Sequence, residues 1–269
     1  MKIFKDKLNL IKEISTTHKL AFVPTMGGLH SGHSYLIEKA KKTGCKVVVS
    51  IYVNPKQFNS RKDFISYPRN TKKDLNFLKR LKVNYVYLPK YKDIFSFKTK
   101  NRIFIDKFNN QLCGKFRKSH FKGVLNVVNR FLEIIKPKYL LLGKKDYQQL
   151  YLIDKHIKKI KLKTKVIPCK IIREKKGIPY SSRNFNLNNK QKIIASKIFK
   201  LIKSKKRSLK DKRVNNFLNV KKDIIKLGVR KIDYIEIINL KTLSHNLKKN
   251  NFRIFIAYYL GNVRLIDNI

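Results

Sequence analysis

The chain of 269 residues has no tryptophan, three cysteines, and 16 acidic residues against 65 lysines and arginines. Cys45, Cys113 and Cys169 lie far apart, and none belongs to a Cys-x-x-Cys pair. This spacing argues against a zinc knuckle or a disulfide framework and favours small apolar groups in a reducing compartment. No apolar run reaches the roughly 18 residues of a membrane span, and no apolar block follows the charged N-terminus. We therefore predict a cytoplasmic protein with no membrane partner.

The shortage of acidic residues leaves a formal net charge of +49. Such a charge is often a sign of nucleic-acid binding. Here the lysines are spread along the whole chain, alanine is nearly absent, and Lys, Asn, Ile, Phe and Tyr are abundant. Those residues have A+T-rich codons, so genome base composition accounts for the excess. Arginine, the better phosphate reader, is scarce beside lysine, and we predict no specific nucleic-acid partner.

Strand-like apolar segments alternate with segments of helical periodicity. The predicted strands are 20–23, 47–53, 85–89, 139–142 and 166–172, and the predicted helices are 34–42, 71–81, 124–135 and 147–160. An earlier helix is expected to bury Leu8, Ile11 and Ile14 along one face. The alternation predicts an α/β fold with a doubly wound parallel sheet, whose apolar strands are buried on both faces.

The pattern changes after the polar turn at residues 174–177. Two helix-like stretches then precede two strand-like segments, at 188–202, 214–227, 234–237 and 253–258. We predict a Rossmann-like domain over residues 1–175 and a smaller C-terminal α+β lid domain over residues 184–269.

The segment at residues 23–33, VPTMGGLHSGH, joins a predicted strand to a predicted helix. Its glycines let the backbone approach a ligand closely, and the helix start presents N–H groups that suit a phosphate. His30 and His33 can donate hydrogen bonds to a phosphate whose charge grows during reaction. The segment is neither a P-loop nor a Gly-x-Gly-x-x-Gly turn. We interpret it as a nucleotide site; the alternative is a Gly-rich turn with two surface histidines.

Three further polar clusters follow predicted strands, where ligands bind in doubly wound sheets. Gln57, in the segment VNPKQF, offers a donor and an acceptor to a hydroxy acid, unless the segment is an ordinary Asn-Pro turn. In the segment GKKDYQQ, Lys145 suits phosphates and Asp146 suits ribose hydroxyls, unless Asp146 only caps a helix. The segment YSSRN at residues 180–184 is suited to clamping a triphosphate when the second domain closes, or is a polar linker.

Three other polar residues are weaker candidates. Asp74, near the start of a predicted helix, has the carboxylate oxygens that Mg²⁺ prefers, although a carboxylate there also offsets the helix dipole. Arg117 and His120, in the segment RKSHFKGV, face either the site or solvent.

Six ordered motifs together resemble the pantothenate synthetase family (pantoate–β-alanine ligase, AMP-forming). The family patterns are PTMGxLHxGH at 24–33, VSIxVNPxQF at 49–58, YPR at 67–69, HFxGVxxVV at 120–128, GxKDxQQ at 143–149 and SSRN at 181–184. The final LGNVRLIDN also looks like that family's C-terminus, so the likeness spans nearly the whole chain. The chain departs from the family pattern at Lys73, Lys118, Lys144 and Tyr180.

The resemblance implies an ATP-dependent ligation in two steps. The carboxylate of pantoate attacks the α-phosphate of ATP, giving pantoyl adenylate and pyrophosphate. The amine of β-alanine then attacks the acyl carbon, and AMP leaves. The resemblance also implies Mg²⁺ as a cofactor and a homodimer.

The resemblance carries roles over to individual residues. Catalytic roles fall to His33, the expected proton donor, and to His30, Lys145 and Arg183. Gln57 and Gln149 are expected to hold pantoate, Gln57 also borders β-alanine, and Asp74 is the expected Mg²⁺ ligand. The residues expected to bind ATP are Met26, Gly27, Gly28, Leu29, His30, Ser31, Gly32, His33, Gly143, Lys144, Lys145, Asp146, Ile172, Tyr180, Ser181, Ser182 and Arg183.

Two alternatives stay open at this point. One is another nucleotidyltransferase of the His-x-Gly-His superfamily, acting on a phosphorylated acceptor. The amides of Gln57 and Gln149 argue against it, because a phosphate acceptor favours arginine or lysine there. The other alternative is a basic nucleic-acid-binding protein, for which titration at physiological salt is the discriminating measurement.

Overall fold

The computed structural model describes residues 1–17, 19–210, 214–245 and 251–269. Its larger sheet has six parallel strands: β1 (Lys2–Phe4), β2 (Leu20–Thr25), β3 (Lys46–Ile51), β4 (Tyr85–Tyr87), β5 (Tyr139–Gly143) and β6 (Lys165–Cys169). Their order is β1-β4-β3-β2-β5-β6, so the chain switches sides of the sheet between β2 and β5. Such a switch point opens a crevice at the carboxyl ends of the strands. The predicted doubly wound parallel sheet is confirmed.

Eight α-helices in the described part of the chain flank this sheet or connect its strands. They are α1 (Lys7–Ile14), α2 (Ser31–Lys41), α3 (Arg61–Ile65), α4 (Thr71–Arg80), α5 (Tyr91–Phe95), α6 (Leu112–Phe116), α7 (His120–Ile135) and α8 (Tyr147–Lys159). Successive residues of a strand point to opposite faces. Phe22 of β2 therefore packs towards Phe131 of α7, with 5.5 Å between ring centroids, while Val23 joins Ile37 of α2 on the other face.

Several predicted boundaries differ from the observed ones. The helix predicted at 124–135 begins at His120, and the strand predicted at 166–172 ends at Cys169. In α1 the buried residues are Leu10 and Ile14, whereas Leu8 is 74% exposed. The predicted face of α1 was therefore right at Ile14 and wrong at Leu8 and at Ile11, which is 38% exposed, because a single short helix allows more than one apolar stripe.

The C-terminal part forms a second, antiparallel sheet with helices on one face. Its elements are α9 (Asn189–Ser204), α10 (Lys206–Lys210), α11 (Val214–Lys226), β7 (Lys231–Asn239), β8 (Phe252–Leu260) and β9 (Val263–Asn268), with the strands in the order β7-β8-β9. Apolar residues such as Ile198, Ile224 and Ile254 form the core between this sheet and its helices. The sequence pattern missed β9. The predicted α+β character of this region is confirmed, while the domain limits 1–175 and 184–269 stay a prediction.

The small sheet is joined to the large one by polar contacts as well as by packing. Arg173 pairs bidentately with Asp267 of β9 at 2.7 and 2.9 Å. Asn268 donates from its side-chain amide to the backbone carbonyls of Lys144 and Lys145 at 2.9 and 2.8 Å. Planar bidentate pairs of this kind hold a defined geometry. Strand β9 is thereby tied to the turn that follows β5.

His156 is fully buried between α7 and α8, at 0% exposure. Its Nδ1 accepts a hydrogen bond from the Phe104 N–H at 3.2 Å, and its Nε2 lies 3.2 Å from Oδ1 of Asn129. With Nδ1 an acceptor, the ring proton is assigned to Nε2 and the imidazole is neutral.

This burial predicts a loss of stability in acid. Burial lowers the pKa of His156 from its usual 6.5 to about 4. Below pH 6.5 the unfolded chain binds this proton and the folded chain does not, so the free energy of unfolding falls as the pH decreases from 6.5 towards 4. For this one group the loss is about 2 kcal/mol at pH 5 and roughly 3 kcal/mol at pH 4. Urea unfolding at pH 7.5, 6 and 5 measures it.

The variant His156→Gln serves as the comparison for this prediction. It should show a shallower dependence of the unfolding free energy on pH, because one titrating group is gone. Wild-type stability that stays constant between pH 7.5 and pH 5 would contradict the assignment of a neutral buried ring.

Candidate active site

A cavity of about 290 Å³ opens at the switch point, where the carboxyl ends of β2, β3, β5 and β6 meet. The large sheet contributes its floor through residues such as Thr25 and Gly143, and β9 contributes a wall through Arg264 and Ile266. This is the edge at which ligands bind in open parallel sheets. The cavity is therefore built by both sheets.

Most of the predicted site residues line this cavity. They are Met26, His30, Gly32, His33, Gln57, Gly143, Lys145, Asp146, Gln149, Ile172, Tyr180, Ser181, Ser182 and Arg183. The predicted residues absent from its lining are Gly27, Gly28, Leu29, Ser31, Asp74 and Lys144. Ser31 is exposed on the first turn of α2, while Gly27, Gly28 and Leu29 are buried in the Gly-rich turn that precedes it.

The Gly-rich turn between β2 and α2 is held from two sides. The N–H groups of Gly28 and Leu29 donate to the two carboxylate oxygens of Asp74 at 2.9 and 2.8 Å. From the other side, the Ser182 hydroxyl lies 3.0 Å from the Gly28 carbonyl oxygen and 3.2 Å from that of Gly27. Gly28 has a φ of +60°, and a Cβ there would lie 2.9 Å from the Ser182 Cβ. Glycine is required at this position both for its conformation and for this close approach.

Asp74 thus occupies a different place from the one expected of a Mg²⁺ ligand. Its side chain is 4% exposed, and both of its oxygens accept backbone N–H groups. Burial raises the pKa of Asp74, and the hydrogen bonds from Leu29 and Gly28 oppose that rise. The fold turns this carboxylate under the turn and away from the cavity, which the spacing along a helix did not reveal. Within the described ranges, no group of three or more His, Cys, Asp or Glu is arranged to hold a metal ion.

His30 and His33 both have their Nδ1 atoms engaged by backbone N–H groups. The Nδ1 of His30 accepts from the Gly32 N–H at 3.1 Å, and the Nδ1 of His33 accepts from the His30 N–H at 3.3 Å. The ring centroids lie 4.1 Å apart, and Tyr180 stacks on His30 at 5.8 Å. Because each Nδ1 is an acceptor, each ring proton is assigned to Nε2. Both imidazoles are thereby oriented by the start of α2.

Both histidines are neutral at pH 7. Burial lowers the pKa of His30 to about 2, with the neighbouring His33 and Lys145 acting in the same direction. Burial also lowers the pKa of His33 to about 4, and Lys145 adds to this while Asp146 opposes it. Neutral rings with Nε2–H groups are hydrogen-bond donors that add no charge to the site.

Gln57, in the turn after β3, lines the cavity and is 8% exposed. Its Nε2 lies 2.7 Å from the sulfur of Met26, and its Oε1 accepts from the Asn54 amide at 3.3 Å. The same Asn54 amide reaches the carbonyl of Gly123 at 3.1 Å. A Cβ at Gly123 would lie 2.1 Å from the Lys56 carbonyl oxygen, so α7 packs directly on this turn. The Gln57 amide is therefore fixed in place before any ligand binds.

The adjacent glutamines have different environments. Gln149 lines the cavity, whereas the buried Gln148 donates to the backbone carbonyls of Phe108 and Gln111 at 2.7 and 2.8 Å. One glutamine of the motif thus faces the cavity and the other supports the fold. A helix places consecutive side chains about 100° apart, which accounts for the difference.

The structure also brings to the cavity residues that the sequence analysis missed or left open. Arg183 pairs with Asp63 of α3 at 2.7 and 2.9 Å. Arg264 lines the cavity and pairs with the buried Asp233 at 2.8 Å. Arg117 lines the cavity as well. The only sequence signal for Arg264 was its position in the family-like C-terminal segment, and Asp63 had none.

The fold and this cavity define a Rossmann-like α/β enzyme with its site at the switch point of a parallel sheet. The model of the family described as Pantoate-beta-alanine ligase matches residues 2–269. The chain belongs to the pantoate-beta-alanine ligase family, and the family expected from the sequence motifs is confirmed.

Individual relatives agree with this assignment. A pantothenate synthetase of Francisella philomiragia subsp. philomiragia is 40% identical over 265 residues, which are 98% of this chain and 94% of that protein. One from Endomicrobium trichonymphae is 39% identical over 280 residues, covering 100% and 97%.

Two solved structures share the fold over nearly their whole length. The pantoate-beta-alanine ligase of Francisella tularensis, complexed with beta-gamma ATP and beta-alanine, has a TM-score of 0.86 at 38% identity and covers 100% of this chain and 97% of that one. The pantothenate synthetase of Thermus thermophilus has a TM-score of 0.90 at 27% identity and covers 100% and 99%.

The position of Asp74 generates a prediction about the Gly-rich turn. In Asp74→Asn, one amide N–H₂ group faces a backbone N–H, so the turn loses an acceptor. We expect a loss of about 1–3 kcal/mol in the free energy of unfolding and a higher KM for ATP, with no change in the Mg²⁺ concentration that gives half-maximal activity. Asp154→Asn, which removes an acid in a surface pair with Lys158, is the control and should leave all three values near those of wild type.

The opposite pattern would show that Asp74 is a metal ligand. In that case Asp74→Asn would shift the Mg²⁺ dependence and leave the stability and the KM for ATP unchanged.

Proposed function

We propose that this cavity joins pantoate to β-alanine in an ATP-dependent reaction that passes through pantoyl adenylate and releases AMP and pyrophosphate. One observation carries the proposal: two neutral, oriented histidines share a cavity with Lys145 and with the amides of Gln57 and Gln149. The Francisella tularensis structure, complexed with beta-gamma ATP and beta-alanine, supports the same two substrates here.

ATP is proposed to lie across the start of α2 and the turn after β5. The helix start, the Nε2–H groups of His30 and His33, and the Lys145 ammonium together offset phosphate charge. Lys145 is 17% exposed and lies 3.5 Å from Oδ1 of Asp146. The Asp146 side chain is 46% exposed, which leaves its other oxygen available to ribose hydroxyls. An added Cβ at Gly143 would contact nothing within 4 Å, consistent with room for a ligand there.

In the first step, the Gln57 and Gln149 amides hold pantoate so that its carboxylate faces the α-phosphate. A new P–O bond forms, the bond to the β-phosphate breaks, and pyrophosphate leaves with the electron pair. Catalysis of such a step needs positioning and charge stabilisation more than covalent help. Because His33 is neutral at pH 7, we propose that it donates a hydrogen bond to the reacting phosphate instead of transferring a proton.

In the second step, the neutral amine of β-alanine attacks the acyl carbon and AMP leaves with its electron pair. The attacking nitrogen loses one proton as the amide forms, and this proton passes to the phosphate of the departing AMP or to water. No side chain has to change its charge for either step, which agrees with the low pKa values of the two histidines.

The YSSRN segment has two proposed tasks. The Ser182 hydroxyl is directed at the Gly27 and Gly28 carbonyls, so Ser182 orients the turn that binds phosphate. Arg183 and Ser181 line the cavity and are the members of the segment proposed to contact ATP. Arg183 would exchange its contact with Asp63 for one with a phosphate oxygen.

The remaining expectations stay proposals. Mg²⁺ is assigned no ligand among the residues that the structure describes, since Asp74 is committed to the turn. Mg²⁺ commonly keeps several waters and binds substrate phosphates. Homodimer assembly rests on the family likeness, and closure of residues 184–269 over residues 1–175 rests on the position of the YSSRN segment at residues 180–184 between them. A cytoplasmic location is supported by the three free, buried cysteines. None of the helices in the described ranges has the length and apolar character of a membrane span.

The adenylate intermediate generates a direct prediction. With Mg²⁺, ATP and D-pantoate but no β-alanine, the protein should exchange labelled pyrophosphate into ATP. His33→Ala should lower this exchange about 100-fold or more, because it removes an oriented donor to the transition state. The exposed His245 is the matched control, and His245→Ala should leave the exchange unchanged.

Two results would contradict this mechanism. Folded wild-type protein that shows no pantoate-dependent exchange would exclude the adenylate. Exchange by His33→Ala within about twofold of wild type would remove His33 from the reaction.

A further inference from the structure

Arg117 lies in the short connection between α6 and α7 and lines the cavity. Its Nη1 lies 3.0 Å from Nε2 of His120, and its Nη2 donates to the Gln57 backbone carbonyl at 3.3 Å. The Nδ1 of His120 lies 2.6 Å from the same carbonyl. Nδ1 therefore donates to Gln57 and Nε2 accepts from Arg117, which makes His120 a neutral imidazole. The guanidinium is thus oriented by two neutral groups, and neither cancels its charge.

The other arginines on the cavity do have counter-charges. Arg183 pairs with Asp63 and Arg264 pairs with Asp233. Among the described residues, no carboxylate lies within ion-pair distance of Arg117. Burial, together with Arg183 and Arg264, lowers the pKa of Arg117 to about 10, so the side chain is still charged at pH 7. A partly buried cation without a counter-charge is costly and favours the arrival of an anion.

The reaction contains one anionic group that the proposed site leaves without a partner. The phosphates of ATP meet the histidines and Lys145, and the pantoate carboxylate becomes an uncharged acyl group in the adenylate. The carboxylate of β-alanine keeps its charge through both steps. It has to lie near Gln57, because the amine at the other end of this short molecule attacks the acyl group held there.

We infer that Arg117 binds the carboxylate of β-alanine and makes the second step selective for an amine that carries a carboxylate. This inference rests on the proposed function. The planar guanidinium has five N–H groups, of which two are engaged by His120 and Gln57, and its remaining N–H groups match a carboxylate. His120 is then a positioning residue that orients Arg117 without competing for the anion.

The test separates the two half-reactions. In Arg117→Gln, pantoate-dependent ATP–pyrophosphate exchange without β-alanine should stay within about twofold of wild type. The KM for β-alanine should rise about 10- to 100-fold, the loss expected for a charged hydrogen bond. Lys118→Gln removes one positive charge from the exposed neighbouring position and should change neither value.

A second measurement distinguishes carboxylate binding from a general structural effect. Wild type should prefer β-alanine to 3-aminopropan-1-ol, which has the same amine but a hydroxyl in place of the carboxylate. The ratio of the two kcat/KM values should fall in Arg117→Gln by about the same factor as the KM rises. If Arg117→Gln does not fold, Arg117→Lys, which keeps the charge without the planar fork, should show a smaller fall in the same ratio.

The outcomes are separable. Exchange that falls as much as the overall reaction would place Arg117 in adenylation and overturn this inference alone, as would an unchanged ratio of kcat/KM values. Absence of pantoate-dependent exchange in wild type would overturn the proposed function and this inference with it.

Discussion

The cavity depends on how the Gly-rich turn at residues 27–29 satisfies its buried backbone groups. Buried N–H and C=O groups require partners, and here a carboxylate from α4 and a hydroxyl from the YSSRN segment provide them. The turn ends where α2 begins, and the start of α2 orients both histidines through backbone hydrogen bonds. Asp74 and Ser182, which lie far from this turn in the sequence, therefore control the geometry of the phosphate site. The two histidines are positioned by the turn, and the turn is itself held by these other residues.

The second, antiparallel sheet contributes residues to the cavity and also packs against the elements that surround it. Asp267 and Asn268 of β9 tie that strand to Arg173 and to the carbonyls of the turn after β5. Phe255 of β8 packs on Tyr147 of α8, with 5.7 Å between ring centroids. The apolar core of the large sheet continues into the face of the small one. Any movement of the small sheet has to disturb these contacts, so its motion and the geometry of the β5 turn are linked.

Positive charge in the cavity is limited in two ways: the imidazoles of His30 and His33 are neutral, and Arg183 and Arg264 pair with carboxylates. Burial next to Lys145 keeps His30 and His33 unprotonated. Arg183 and Arg264 each have a carboxylate, whereas Arg117 is held by neutral groups. In a chain with a net charge of +49, this limits repulsion inside the site while still offering hydrogen-bond donors and the unpaired guanidinium of Arg117 to anionic substrates. The overall charge of the chain therefore says little about the chemistry of its cavity.

The sequence by itself determined the fold class and the family. Alternating apolar and helical segments imply a parallel sheet, because the period of a pattern reports which faces are buried. The colinear motifs then bring their polar residues to one edge, since parallel strands end together. Periodicity does not report which distant groups become partners, and the tertiary structure alone decided those. The tertiary structure placed Asp74 beneath the Gly-rich turn and gave Gln148 and Gln149 different environments. It also added β9 as a wall of the cavity and brought Arg117 to the Gln57 carbonyl. Such contacts depend on distances of about 3 Å between segments far apart in the chain, which a sequence pattern does not contain.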